Sequence, residues 1–78
     1  MIGKCIKYLR KQNNYKQEAL SKILGLEKSS LSSYEIERRD ITFKMMEKLA
    51  KECNYEIIFR SEKFHDEFKL TDIDRKDV

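Results

Sequence analysis

Apolar positions recur along the chain at helical spacing in four stretches, then switch once to strict alternation. Ile2, Cys5, Ile6, Leu9 and Asn13 line one stripe of a helix expected over residues 2–13, with Lys4, Lys7 and Lys11 opposite. Arg10 sits at the margin of that stripe, one turn above Ile6, so it is expected to be partly buried and to need a partner. Asn13 and Asn14 break the helix, because their side chains compete for nearby backbone groups. Ala19, Leu20, Ile23 and Leu24 form the stripe of a second helix. Its start is open between two readings: Asn14 with Gln17 as a capping box, or Lys16 at the cap. Gly25 ends it, since glycine takes a left-handed backbone without steric cost. Leu26 lies in the turn and can plug the angle between helices, and Leu31 and Tyr34 mark the inner side of a third. Two helices joined by a short glycine-containing turn make a helix-turn-helix. Residues 36–41 read as a loop. Thr42 is a good N-cap for a fourth helix whose stripe is Phe43, Met46, Leu49, Ala50 and Cys53, with Lys44, Glu47, Lys48 and Lys51 on its wet side, up to Asn54.

From Tyr55 to Arg60 the period becomes two. Tyr55, Ile57 and Phe59 alternate with Glu56, Ile58 and Arg60, a strand in an otherwise helical chain. A lone strand leaves its N–H and C=O groups unpaired, so it needs a second strand from the tail or the same strand from another copy. Antiparallel self-pairing about Ile58 sets Ile57 against Phe59 and Glu56 against Arg60, a self-complementary register that predicts a two-fold dimer. Phe64 and Phe68 fit a helical turn, while Phe68 and Leu70 also fit a short strand. Asp72–Val78 has the composition of a frayed tail. The expected organisation is residues 1–54 as the main domain, 55–60 as a dimerising strand and 61–78 as an acidic extension.

Composition bounds the rest. The 78 residues contain no proline and two glycines, which suits uninterrupted helices in one small domain. Residues 1–60 carry 13 Lys/Arg against 8 Asp/Glu, and residues 61–78 carry 4 against 6, so a basic body precedes an acidic tail. A basic body suits a polyanion. Cys5 and Cys53 lie on apolar helix faces and are expected as small core residues in a reducing compartment, not as a disulfide. Together with His65 they are too scattered for a metal site, and no metal or cofactor is expected. No apolar run reaches membrane-spanning length and no signal segment opens the chain, so a cytoplasmic protein without a membrane partner is expected.

The third helix has a polar face. Lys28, Ser29, Ser32 and Ser33 point away from Leu31 and Tyr34, and such a face can enter a groove and offer donors to base edges and phosphates. A solvated serine-rich face gives the same pattern, so the face alone does not decide. The spacing does more. Gln17, Glu18, Leu20, Gly25, Leu31, Ser32, Tyr34 and Glu35 stand in one continuous pattern, with Leu9-Arg10-Lys11 upstream and Lys48-Leu49-Ala50 downstream. Over roughly residues 2–60 the sequence resembles the lambda-repressor-like, Cro/Xre type of helix-turn-helix DNA-binding proteins. It departs from that pattern at Ser21 (usually alanine), Glu27 (usually a Ser or Thr cap), Glu37 (usually glycine) and Ile41 (usually proline).

The resemblance implies a mainly α fold, a four- to five-helix bundle with a helix-turn-helix, to which the strand at about 55–60 (Glu56, Ile57, Ile58, Phe59, Arg60) is added. It implies base contacts from Lys28, Ser29 and Ser33, with Glu27 at the threshold. Gln17, Ser30, Arg38, Arg39 and Lys44 match phosphate contacts, and Arg10 with Glu35 a structural ion pair. The function expected is a sequence-specific double-stranded DNA-binding regulator, a repressor acting as a homodimer on a palindromic operator. The alternative is the antitoxin of a toxin–antitoxin pair, holding a toxin protein through its C-terminal segment; a further one is a helix-turn-helix that serves only as an interaction module. An enzyme is not expected: His65 lies in the tail, no carboxylate pair marks a pocket, and there is no phosphate loop.

Overall fold

A computed structural model gives the fold of residues 1–75. Four α-helices come first: α1 Ile2–Gln12, α2 Gln17–Ile23, α3 Ser30–Glu35 and α4 Phe43–Glu52. Two short strands follow, β1 Ile58–Arg60 and β2 Glu67–Lys69, and then a 3₁₀ helix, Leu70–Arg75. The architecture is therefore mainly helical with a small antiparallel sheet at its C-terminal end. Residues 76–78 of the expected tail lie outside the described part, and the part that is described does not fray but turns into the 3₁₀ helix.

One device ends all four α-helices. Asn14 (φ 58°), Gly25 (φ 73°), Glu37 (φ 60°) and Asn54 (φ 63°) each take a left-handed backbone just past a helix. At each, the next residue donates back across the last turn: Tyr15 to Arg10 O, Leu26 to Ser21 O, Arg38 to Ser33 O and Tyr55 to Ala50 O, at 3.2, 2.8, 2.9 and 2.8 Å. These are Schellman closures, which satisfy carbonyls that would otherwise be orphaned. Glycine and asparagine tolerate the conformation, whereas glutamate does so at a steric cost. Glu37 offsets that cost by turning its carboxylate onto the start of α1, where it accepts from Gly3 N–H at 3.3 Å and from the Met1 amine.

At their starts the helices differ. Thr42 Oγ1 accepts from Met45 N–H at 3.1 Å and caps α4. Lys16 holds the cap position of α2 without a side-chain bond, so the capping box from Asn14 does not form; Asn14 is spent on closing α1. Helix α3 starts at Ser30, so Lys28 and Ser29 lie in the turn before it and not on its first turn.

Ile6, Leu9, Leu20, Leu24, Leu31, Tyr34, Leu49 and Cys53 form one buried cluster, with Tyr15, Leu26, Ile41, Met45 and Met46 packed at its edge. Each large aliphatic chain sealed there contributes about 1.5–3 kcal/mol. Gly3 lets α1 close on the end of α3, because a Cβ at that position would stand 2.3 Å from Glu35 O. Asn13 Nδ2 donates to Leu9 O at 3.1 Å and Cys53 O at 2.9 Å, tying the ends of α1 and α4 together.

Several expected core residues lie outside this cluster. Ala19 and Cys5 are exposed and Ile23 is 48% exposed. A helix as short as α2 is covered along a single edge, Leu20–Ser21–Leu24, and nothing packs on the side of residues 19 and 23. Phe43 is likewise 55% exposed, its ring stacked on Phe59 instead of entering the bundle.

The alternating segment resolves into a hairpin within one chain. Ile58, Phe59 and Arg60 pair antiparallel with Lys69, Phe68 and Glu67, so only residues 58–60 of the expected strand are paired, and with the tail. Of the two readings for Phe68, the strand is the one that forms. Phe59 stacks on Phe68 at 5.5 Å between centroids and on Phe43 at 6.4 Å, which leans the hairpin on the start of α4.

Candidate nucleic-acid interface

The helix-turn-helix is held at one buried junction. Arg10 Nε donates to Glu35 Oε2 at 2.6 Å and Nη2 to Glu35 Oε1 at 3.0 Å, while Nη1 donates to Tyr15 O at 2.7 Å. Gln17 Nε2 adds a bond to Glu35 Oε1 at 3.1 Å. One carboxylate therefore gathers α1, the start of α2 and the end of α3. Burial by itself would raise the Glu35 pKa. The hydrogen bonds from Arg10 and Gln17 and the charges of Arg10 and Lys7 outweigh it and hold the group below its usual range. A second tie fixes α2 to α4: Lys48 Nζ, expected on the wet side, donates to Leu24 O at 3.0 Å and caps the C-terminus of α2.

Around this frame the turn into α3 presents a shallow depression lined by Gln17, Glu18, Glu27, Lys28, Ser29 and Ser32. It brings together five residues singled out from sequence: Gln17, Glu27, Lys28 and Ser29, and Ser32 of the polar face. Ser33 is half-buried on the next turn of α3, and its carbonyl accepts from Arg38 and Arg39 N–H at 2.9 and 3.3 Å. Arg38 and Arg39 are exposed on the segment that follows and Lys44 on the first turn of α4, and Arg39 lies over the Tyr34 ring with its guanidinium carbon 5.5 Å from the centroid. That stacking gives the cation a fixed seat beside α3.

Ser30, the first residue of α3, is 3% exposed. Gln17 lines the depression while its amide nitrogen donates to Glu35 Oε1.

Sequence reasoning placed Ser32 on this face without assigning it a contact and passed over Glu18 as a site residue. Glu18 Oε2 stands 3.7 Å from Lys28 Nζ, an exposed pair that steers Lys28 across the depression. The pairing joins residues ten positions apart across the turn, and no local period signals it. With Glu18 and Glu27 beside Lys28, the depression carries two acids for one base, whereas Arg38 and Arg39 supply positive charge just past the end of α3. Carboxylates disfavour phosphates and accept hydrogen bonds from base amino groups, so the depression is suited to base edges and the arginines to the backbone.

No helix among the described residues is long and apolar enough to cross a membrane. Comparison with curated proteins and with solved structures gives no match. A family model described as helix-turn-helix matches residues 6–59, from the buried Ile6 of α1 to Phe59 of the hairpin. The match spans all of α2, α3 and α4 together with the buried junction and the exposed turn, and the chain accordingly belongs to the helix-turn-helix family of Cro/C1-type DNA-binding transcriptional regulators.

Proposed function

We propose that the protein is a repressor that binds a palindromic operator as a homodimer, with Lys28, Ser29 and Ser33 reading bases in the major groove and Glu27 bordering them. Arg38, Arg39 and Lys44 take backbone phosphates, helped by the free part of Gln17. Docking of this kind sets two half-sites about one helical turn apart, ~34 Å.

The observation that carries the homodimer is the free edge of β1. Leu70 N–H donates to Ile57 O at 2.9 Å and Ser61 N–H to Asp66 O at 2.7 Å. Residues 57, 59 and 61 therefore turn their backbone groups toward β2, and by alternation Ile58 and Arg60 turn theirs to the opposite edge. Among the described residues no strand covers that edge. Self-pairing about Ile58 needs outward groups at 56, 58 and 60, which is the parity the hairpin leaves. Two hairpins would then join as one four-stranded sheet.

Ile58→Pro tests this. It removes an outward N–H and leaves the bonds to β2 in place, a substitution that an edge strand tolerates. The variant is expected to fold as a monomer by sedimentation equilibrium and to lose binding to a two-half-site duplex. A variant that dimerises like the parent would overturn the strand-edge dimer.

A further inference from the structure

Two features of the hairpin region stand open to a second molecule. One is a groove of about 700 Å³ between the outer side of α4 and the hairpin. Its floor is apolar, from Met45, Ala50, Tyr55, Ile57 and Leu70. Lys44 and Lys51 stand at its rim with no ion pair among the described residues, since Lys48 is engaged with Leu24 O and Lys69 with Glu56 at 3.3 Å. The other is the hairpin tip. Phe64 is 73% exposed there, on a turn built by Ser61 Oγ, which accepts from Lys63 N–H at 3.2 Å and Phe64 N–H at 2.9 Å. The Lys63 ammonium lies 5.3 Å from the centre of the Phe64 ring, and Glu62, Asp66 and Glu67 are the acids of the turn and its flanks. Glu47 and Glu56 also line the groove but are outnumbered by Lys44, Lys48, Lys51 and Lys69, so its rim is net basic, whereas the turn that carries Phe64 is net acidic.

The strand register relates the two. With Ile58 against Ile58 and Glu56 against Arg60, Ser61 of a second copy comes opposite Tyr55 and Glu62 opposite Asn54. A two-fold perpendicular to the sheet keeps both Phe59 faces on the same side. The tip of the second copy then runs past Tyr55 toward the C-terminal end of α4, where Tyr55 and Lys51 border the groove.

We propose that the Phe64 tip of each copy docks in the α4–hairpin groove of the other, as the second half of the same two-fold interface. This rests on the strand-edge dimer proposed above. The ring enters the groove at its Tyr55 and Lys51 end, and the acids of the tip meet Lys51. The contact is isologous, so each dimer makes it twice. It also gives the interface apolar area that a three-residue strand lacks.

The test combines sedimentation equilibrium with a photo-crosslinking benzoylphenylalanine at position 64, in a mixture of isotopically heavy and light chains. Phe64→Ala is expected to weaken dimerisation on the order of tenfold to a hundredfold, and to fold normally, since the ring is exposed and gives up only the contact with the neighbouring Lys63 ammonium. The probe at 64 is expected to give heavy–light crosslinks to residues 45–57. A parent chain that is a monomer, or a dimer that Ile58→Pro leaves intact, overturns the strand-edge reading and this docking with it. A dimer that Ile58→Pro breaks, that Phe64→Ala leaves unchanged and that yields no crosslink into 45–57 overturns the docking alone.

Discussion

Arg10 and Glu35 meet through two parallel hydrogen bonds, of 2.6 and 3.0 Å, between side chains 9% and 3% exposed. Paired charges at this depth are held in register by geometry, and the loss of one leaves the other buried alone. Arg10→Ala is expected to cost about 3–5 kcal/mol, read from urea melts. Replacing both by apolar residues of similar volume is expected to cost far less, because no charge is then stranded. A single variant that melts like the parent would remove the pair from its place at the centre of the fold.

The same carboxylate sets an acid dependence. The folded-state pKa of Glu35 is lowered, so between that value and the unfolded value of about 4.3 the unfolded chain binds more protons. The stability from this group is fully present above the unfolded pKa and is lost as pH falls through the folded one. Urea midpoints should hold level from neutral pH to about 5 and then drop. In Glu35→Gln the part of the drop that belongs to this group should vanish, although the variant starts less stable.

Ser21 is fully buried and its hydroxyl has no hydrogen-bond partner. An unsatisfied buried hydroxyl costs about 1–3 kcal/mol. Ser21→Ala removes it with little change in volume, and thermal melting should show a gain of about 1 kcal/mol. A loss would mean that the hydroxyl has a bonded water or that the void left behind dominates.

Glu37 separates two effects at one residue. Glu37→Gly relieves the left-handed backbone but gives up the carboxylate on Gly3 N–H. Glu37→Ala gives up the carboxylate and keeps the strain. Melting should rank Ala below both Gly and Glu; an alanine variant level with the glycine one would show that the backbone carries no strain there.

Much of this was legible from periodicity and a few special residues. Leu20, Leu24, Leu31 and Leu49 are core because spacing alone gathers them on inner faces, and Gly25 and Thr42 act at helix ends through local chemistry. Spacing says which residues share a face, but not whether another element covers that face. Ile23, Ala19 and Cys5 therefore read as core and stand in solvent, since α2 and α1 are each covered along one edge. Gly3 gave no signal, because its role arises only where α1 meets the end of α3, and at Glu37 the family's usual glycine marks the left-handed backbone but not the carboxylate's bonds to the start of α1. Ser30 and Ser33 look alike in sequence, and one turn of helix separates a buried residue from a half-buried one. The tail strand was one of two readings of Phe68, and pairing with Phe59 decides it.

On the DNA side, Arg39→Ala should weaken binding to all sequences alike and reduce the slope of log affinity against log salt by about one unit. Lys28→Ala should instead relax one position of the site, by about 1–3 kcal/mol. Glu27→Gln, which removes one of the two central acids, should tighten non-specific binding at low salt. Titrations of a specific and a scrambled duplex at several salt concentrations separate the three.

The most direct measurement is selection of binding sites from a random duplex pool at low and moderate salt. The account predicts an enriched palindrome with half-sites about one turn apart, ~34 Å, whose bases change when Lys28, Ser29 or Ser33 is replaced. Binding that enriches no sequence and disappears with added salt, or no binding at either salt, would contradict it.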